Sequence, residues 1–343
     1  MSRPPRPLIL LVAALALLAT ALAALAVGAV AVPLPKVLAA LAGRLGTEDA
    51  MTETIIVNVR LPRVLLALLA GAGLAVAGVL MQALFRNPLA EPAIIGVSAG
   101  AALGAVAVIV LGATVFAGLS RALGAWTLPL AAFAGALATT AIVFTLARRE
   151  GVLDATTMLL VGIAINALAG AAIGLLIFLA TDEQLRNLTF WNLGSLGAAN
   201  WAALAGAAPF ALLALVVAPW LAGSLNALLL GESEALHLGV PVETVKRLTI
   251  VLAALATGAI VAVSGIVGFV GLVAPHLARL LVGPDHRVLL PLAAMLGAIL
   301  LTLADLAART AVRPAELPLG VLTALVGAPF FLYLLRRGPR ERA

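Results

Sequence analysis

RLPRVLLALLAGAGLAVAGVLMQALFRNPLAEPAIIGVSAG, residues 60–100, decides the architecture. Between Arg63 and Arg86 no residue is charged, and a run of that length crosses a hydrocarbon core of about 30 Å as a helix rising 1.5 Å per residue. Pro88 and Pro92 then remove two backbone donors and force a non-helical connection, whose freed polar groups need protein or water around them. A second apolar run follows at once, with Gly96, Gly100 and Gly104 spaced by four along one helical face. A span, a proline-broken turn and a second span belong to a membrane protein.

The rest of the chain repeats that texture. It has 343 residues, 64% hydrophobic and 10% charged, with a mean hydropathy of +1.19, which excludes intrinsic disorder and a secreted soluble enzyme. At about 20 residues per span, roughly eleven helices is the ceiling. Apolar stretches run over 7–35, 64–85, 92–120, 122–147, 155–181, 187–231, 248–278, 288–304 and 317–335. The sixth opens with a polar, glycine-bearing piece from Asn187 to Gly197 and reads as a broken or re-entrant segment followed by a full span from Trp201. The seventh holds Gly265, Gly268, Gly271 and Pro275, so one helix ends near 264 and another begins near 270. The expectation is an all-α integral membrane protein of about ten transmembrane helices, nine and eleven being the neighbouring counts. Residues 1–343 read as a single transmembrane domain, with its longest loops at about 36–63 and 223–247 and no solenoid repeat or inserted soluble domain.

Orientation follows from the basic residues. With an even number of spans, Lys36, Arg44, Arg60, Arg63, Arg121, Arg186, Arg309 and Arg313 fall on one side, and the remaining thirteen of the 21 lysines and arginines fall on the side of both termini. Those thirteen include Arg3, Arg6, Arg86, Lys246, Arg279, Arg337, Arg340 and Arg342. Both termini are therefore expected in the cytoplasm, with an unusual eight basic residues left outside. The first apolar run exceeds the 7–15 residues of a signal-peptide core, which favours an uncleaved first span. A net charge of +6 placed in short loops reads as orientation and not as nucleic-acid binding.

Several chemistries lack their residues. With no cysteine, disulfides, thiolate metal sites and cysteine nucleophiles are all excluded. His237, His276 and His286 show no metal-site spacing. The only lysines, Lys36 and Lys246, do not sit in a Gly-Lys-Ser/Thr phosphate loop, so the chain has no nucleotide site of that kind. Asp305 is the nearest to an intramembrane acid. It stands one turn before Arg309 and reads as half of an i,i+4 pair at the outer end of its span. An ion-coupled carrier is the runner-up reading on that residue, and an intramembrane enzyme stands behind it.

Four segments are too polar or too kinked for plain span ends. In residues 60–100, Arg60 and Arg63 lie one turn apart and point outward, while Gln82, Arg86, Asn87 and Glu91 gather at the inner end. Asp154 to Thr157 opens a span, where hydroxyls cap a helix or line a gate. LNALLLGESEALHLGVPVETVKRL, residues 225–248, predicts a short helix between Gly231 and Gly239 with acids near its N-terminus. Pro241 then opens a second short turn ending at Lys246 and Arg247, and the pair forms a docking surface for a soluble partner. GIVGFVGLVAPHLARLLVGPDHR, residues 265–287, predicts a bent, closely packed helix junction. Gly170 and Gly174 repeat the four-residue spacing and read, like Gly96 to Gly104, as a close-packing face.

Taken together these segments resemble, over nearly the whole chain, the FecCD-type permease subunits of iron-siderophore, haem and cobalamin ATP-binding-cassette importers. RLPR, LFRNPLAEP with GVSAG, WNLGSLG, LLLGESEALHLGV, GFVGLVAPHLARLLVG and AELPLGVLTALVGAPFF carry the likeness in the family's order. The resemblance implies a type II importer permease fold and a homodimer in the bacterial inner membrane. Two cytoplasmic ATPase subunits would hold the ATP and magnesium, so that this chain needs no cofactor of its own. A periplasmic substrate-binding protein would dock on Arg60, Arg63 and Arg309. By the same likeness, Gly231, Glu232, Ser233, Glu234, Ala235, Leu236, His237, Leu238 and Gly239 would couple to the ATPase, and Asn87, Pro88, Leu89, Thr156 and Thr157 would form the cytoplasmic gate. TDEQLRNLTFWNLGSLG, residues 181–197, and the C-terminal segment are most similar to haem permeases, with ferric siderophores and cobalamin remaining open. With no Cys, a single tyrosine, Tyr333, and no outer histidine, a haem cargo would pass without strong axial ligation.

Overall fold

The computed structural model describes residues 5–336 except 29, 47, 48, 150, 151 and 313. Arg3, Arg313, Arg337, Arg340 and Arg342 of the orientation count lie outside the described residues. Thirteen helices are described: α1 (Arg6–Ala26), α2 (Leu34–Leu41), α3 (Ala50–Leu84), α4 (Val97–Leu111), α5 (Ala117–Leu146), α6 (Ala155–Phe178), α7 (Asp182–Leu193), α8 (Trp201–Leu228), α9 (Glu232–His237), α10 (Val242–Ser264), α11 (Val270–Val282), α12 (His286–Ala308) and α13 (Leu319–Arg336). The strands Arg148–Arg149 and Val152–Leu153 pair as a small antiparallel hairpin between α5 and α6.

Seven helices, α1, α3, α5, α6, α8, α10 and α12, are long and apolar enough to cross a membrane, and α4, α11 and α13 are shorter apolar helices. These ten stand where the charge-free runs put spans. Ten passes leave the two chain ends on the same side of the bundle, the side carrying α9, and α7 lies at the opposite end.

Both interrupted runs break where their sequence does. α7 is a short helix opened by a Thr181–Gln184 capping box; the chain then turns at Gly194, and Asn200 caps α8 by accepting from the Ala203 N–H at 2.9 Å. α10 ends at Ser264 and α11 begins at Val270. The loop before α10 differs from expectation. Pro241 caps a continuous helix that carries Lys246 and Arg247 straight into the span. A proline at a helix start blocks nothing downstream, and Val242, Val245 and Ile250 keep the buried face unbroken.

α3, α10 and α12 form the centre of the bundle, and the helices approach backbone to backbone where side chains are absent. Gly71 lies against Gly297 of α12, and Gly78 against the carbonyl of Gly271 in α11, with no room for a Cβ at either place. Gly100 and Gly104 of α4 meet Gly135 and Ala131 of α5 in the same way. Gly170 and Gly174 do not follow: no atom lies within 4 Å of where their Cβ would be. They sit on α6, which is only 11% buried over its apolar window, so their face is not packed within this chain.

Candidate functional site

At the α7 end, the three arginines expected on an outward rim turn inward. Arg60 is buried and donates to the carbonyls of Leu25 (2.7 Å), Ala26 (3.0 Å) and Val30. Arg309, also buried, donates to Ala24. Both guanidiniums therefore occupy the C-terminal end of α1, where orphan carbonyls and the negative end of the helix dipole meet a cation. Arg63 lies between two acids. Its Nε and Nη2 donate to Asp305 at 2.9–3.2 Å, and its Nη1 and Nη2 donate to Glu316, both at 2.9 Å. The main partner of Asp305 is thus Arg63 of α3; the i,i+4 partner Arg309 is at 3.6 Å. Glu316 is 41% exposed, and the Arg63 hydrogen bond holds its carboxyl below the ordinary carboxylate range.

The expected outward pair Arg60 and Arg63 is separated. Residues Ile55–Arg60 form a π-helical stretch inside α3 that gives way to α-helix at Leu61, and the two arginines reach different neighbours. Arg60 then faces α1 while Arg63 faces α12.

At the α9 end, Gly231 and Gly239, both with positive φ, bracket the helix Glu232–His237. Its Ala235 packs inward, while Leu230, Leu236 and Leu238 are each more than half exposed beside Glu232 and Glu234. The Asp154 carboxylate caps α6 by accepting from the Thr157 N–H at 2.7 Å and from the Thr157 hydroxyl, so Thr157 is engaged in the cap while Thr156 is exposed. Asn87 Oδ1 accepts from the Leu89 N–H at 2.9 Å and shapes the Asn87–Leu89 turn. The segment that continues from that turn, Pro92–Ile95, packs on α6: Gly162 meets the Ile94 carbonyl, and Asn166 donates to the Ala93 carbonyl at 3.3 Å. These contacts join α6 to Pro92–Ile95, beyond the Asn87–Leu89 turn, and not to the turn itself.

Residues 15–337 match the FecCD transport family. The chain belongs to that family. It is 48% identical over 297 residues to a hemin transport system permease protein of Yersinia pestis, covering 87% of each chain. It is 42% identical over 307 residues to a cobalamin import system permease protein of Halobacterium salinarum, covering 89% of this chain and 80% of that one. Among solved structures it superposes with a TM-score of 0.84, at 35% identity and over 96% of its length and 99% of the other chain, on an inward-facing transporter assigned to the metal-chelate type of ABC transporter. This FecCD-family chain is thus a multi-pass transport permease.

Three features of the family member escaped the sequence. Lys246, expected at the end of a short turn in the docking surface, is 2% exposed and surrounded by acceptors. Glu316 stands in the quoted AELPLG segment without a role assigned to it, and Asn166 carried no motif; the loop between α12 and α13 in which one lies and the apolar helix around the other gave no periodic signal. His237, His276 and His286 lie on α9, α11 and α12. A cavity of about 450 Å³ opens between α5, α7, α8 and α10 at the α7 end, lined by Trp126, Phe190, Trp191, Ser195, Asn200 and Ser264 among others. Among the described residues no ionisable side chain lines it.

Proposed function

We propose that this permease moves haem from periplasm to cytoplasm across a bacterial inner membrane, as a homodimer driven by two separate ATPase subunits and fed by a periplasmic binding protein. The observation that carries the cargo is the 48% identity to a hemin permease over 87% of the chain. Both termini and the α9 loop are then cytoplasmic, and the exposed Leu230, Leu236 and Leu238 beside two glutamates supply the coupling surface from Gly231 to Gly239. Nucleotide and magnesium belong to the ATPase, since neither lysine of this chain lies in a phosphate-binding loop, and the chain acts as a conduit without catalysis of its own. The gate is formed by Asn87, Pro88 and Leu89 with Thr156 and Thr157. The open face of α6, with Gly170 and Gly174, supports a helix of a second copy packing there.

Docking of the binding protein is assigned to Arg63 first. Arg60 and Arg309 are taken up by α1 carbonyls, whereas Arg63 holds a half-exposed carboxylate, Glu316, that an acidic residue of the partner could displace. A cobalamin cargo is the second reading, favoured by 42% identity to a cobalamin permease over 89% of this chain. Proteoliposomes containing the permease and its ATPase, supplied with the loaded binding protein, decide between them. ATP-dependent uptake of haem and not of cobalamin or a ferric siderophore is expected; cobalamin uptake without haem uptake reverses the assignment.

A further inference from the structure

Lys246 is buried to 2% exposure, a position an ammonium tolerates only when its three N–H groups are matched. All three are. It donates to Glu232 of α9, to Glu243 of α10 at 3.2 Å and to the backbone carbonyl of Leu153 at 2.9 Å. The other oxygen of Glu243 accepts from the Leu153 N–H at 3.1 Å, so both backbone groups of Leu153 are held from α10. Leu153 is itself buried and is followed directly by Asp154, whose carboxylate caps α6 through Thr157. A continuous set of short, charge-assisted contacts therefore runs from α9 through Lys246 and Leu153 to the first turn of α6. Glu232, at its head, is 37% exposed on the docking surface.

We propose that Lys246 is a positioning residue, the strut that passes movement of the docking helix α9 to the end of α6 bearing Thr156 and Thr157. The inference rests on the docking and gate roles proposed above. Burial alone would be met by a methionine of similar length. What a methionine cannot do is join a carboxylate of α9 to a backbone carbonyl at the mouth of α6. Pulled or rotated by a docked partner, α9 then carries Leu153 and the α6 cap with it, the buried Lys246 side chain being held at all three N–H groups.

Because the chain has no cysteine, a Val152→Cys substitution gives one spin-label site per copy, at an exposed position beside the strut. In the complete complex in proteoliposomes, ATP binding is expected to change the distance between the two labels. Lys246→Met should leave ATPase docking and ATP hydrolysis in place, abolish that change and lower uptake per ATP hydrolysed by roughly tenfold, and Lys246→Arg should restore both. Glu232→Gln, which leaves Lys246 paired with Glu243 and Leu153, lies on the docking surface itself and is therefore compared at saturating ATPase subunit with ATP hydrolysis read alongside; under those conditions it should give the same loss, and it serves if Lys246→Met does not assemble. A label response and an uptake ratio unchanged in Lys246→Met, or in Glu232→Gln where that variant stands in, overturn the strut. A parent complex whose labels do not respond to nucleotide overturns the docking and gate reading itself, before any strut variant is compared.

Discussion

Arg60 and Arg63 are separated by two residues and serve different ends. Arg60 satisfies three carbonyls at the C-terminus of α1, so Arg60→Ala leaves buried acceptors unpaired and is expected to cost about 2–4 kcal/mol, read as a lower melting temperature in detergent with binding-protein affinity per folded molecule unchanged. Arg63 is held by Asp305 within and Glu316 at the edge. Glu316→Gln removes the carboxylate that competes with a docking partner, and affinity for the binding protein should rise roughly two- to five-fold, the range of a half-exposed ion pair. The same pair sets a pH dependence. Arg63 depresses the folded-state pKa of Glu316 below 4.5, so its contribution to stability is complete above that value and is lost as pH falls through the lower folded value. Melting curves from pH 7 downward should show the wild type losing stability in acid more steeply than Glu316→Gln.

Among the elements, α3 sets the geometry of the bundle. It carries Arg60 to the end of α1, and its glycines let α11 and α12 lie against its backbone. Gly78→Leu forces a side chain into the Gly271 carbonyl and is expected to cost about 3 kcal/mol or more, seen as loss of the folded fraction in detergent. Gly170→Leu on α6 meets open space and should leave the melting temperature of the isolated chain unchanged while reducing the dimer fraction by size-exclusion light scattering; an unaltered dimer would remove α6 from the self-contact. α9 is too short to be stable alone and is fixed by its buried Ala235 and by Glu232 on Lys246. Leu236→Asp and Leu238→Asp change only exposed positions and should each weaken ATPase binding by about 1–2 kcal/mol, measured by titration of the purified subunit.

At the scale of the whole molecule, the charges of the ten apolar helices gather toward the two ends of the bundle, and the proposed function gives each end its own partner surface. Uptake should therefore fall with ionic strength through the binding-protein step, while ATPase docking, which rests on apolar leucines, should be far less salt-sensitive. The ten spans, the breaks near Gly194 and Gly265 and the short helix between Gly231 and Gly239 were legible because each is written locally: hydrophobic length measures a span, and proline, glycine and capping residues mark its ends. The partners of the charges were not. Arg60, Arg63 and Arg309 share one composition of surroundings in the sequence, and only the fold brings Asp305 and Glu316, more than 240 positions away, onto Arg63 and α1 carbonyls onto the other two. The burial of Lys246 was hidden for the same reason, since its acceptor on Leu153 lies 93 positions upstream. The sequence by itself determined a membrane protein of about ten helices, because transfer from water to lipid acts on every residue independently. Which charges face a partner and which hold the bundle together was decided by tertiary structure, because a buried ion is tolerated only where the fold supplies its counter-charge or hydrogen-bond acceptors.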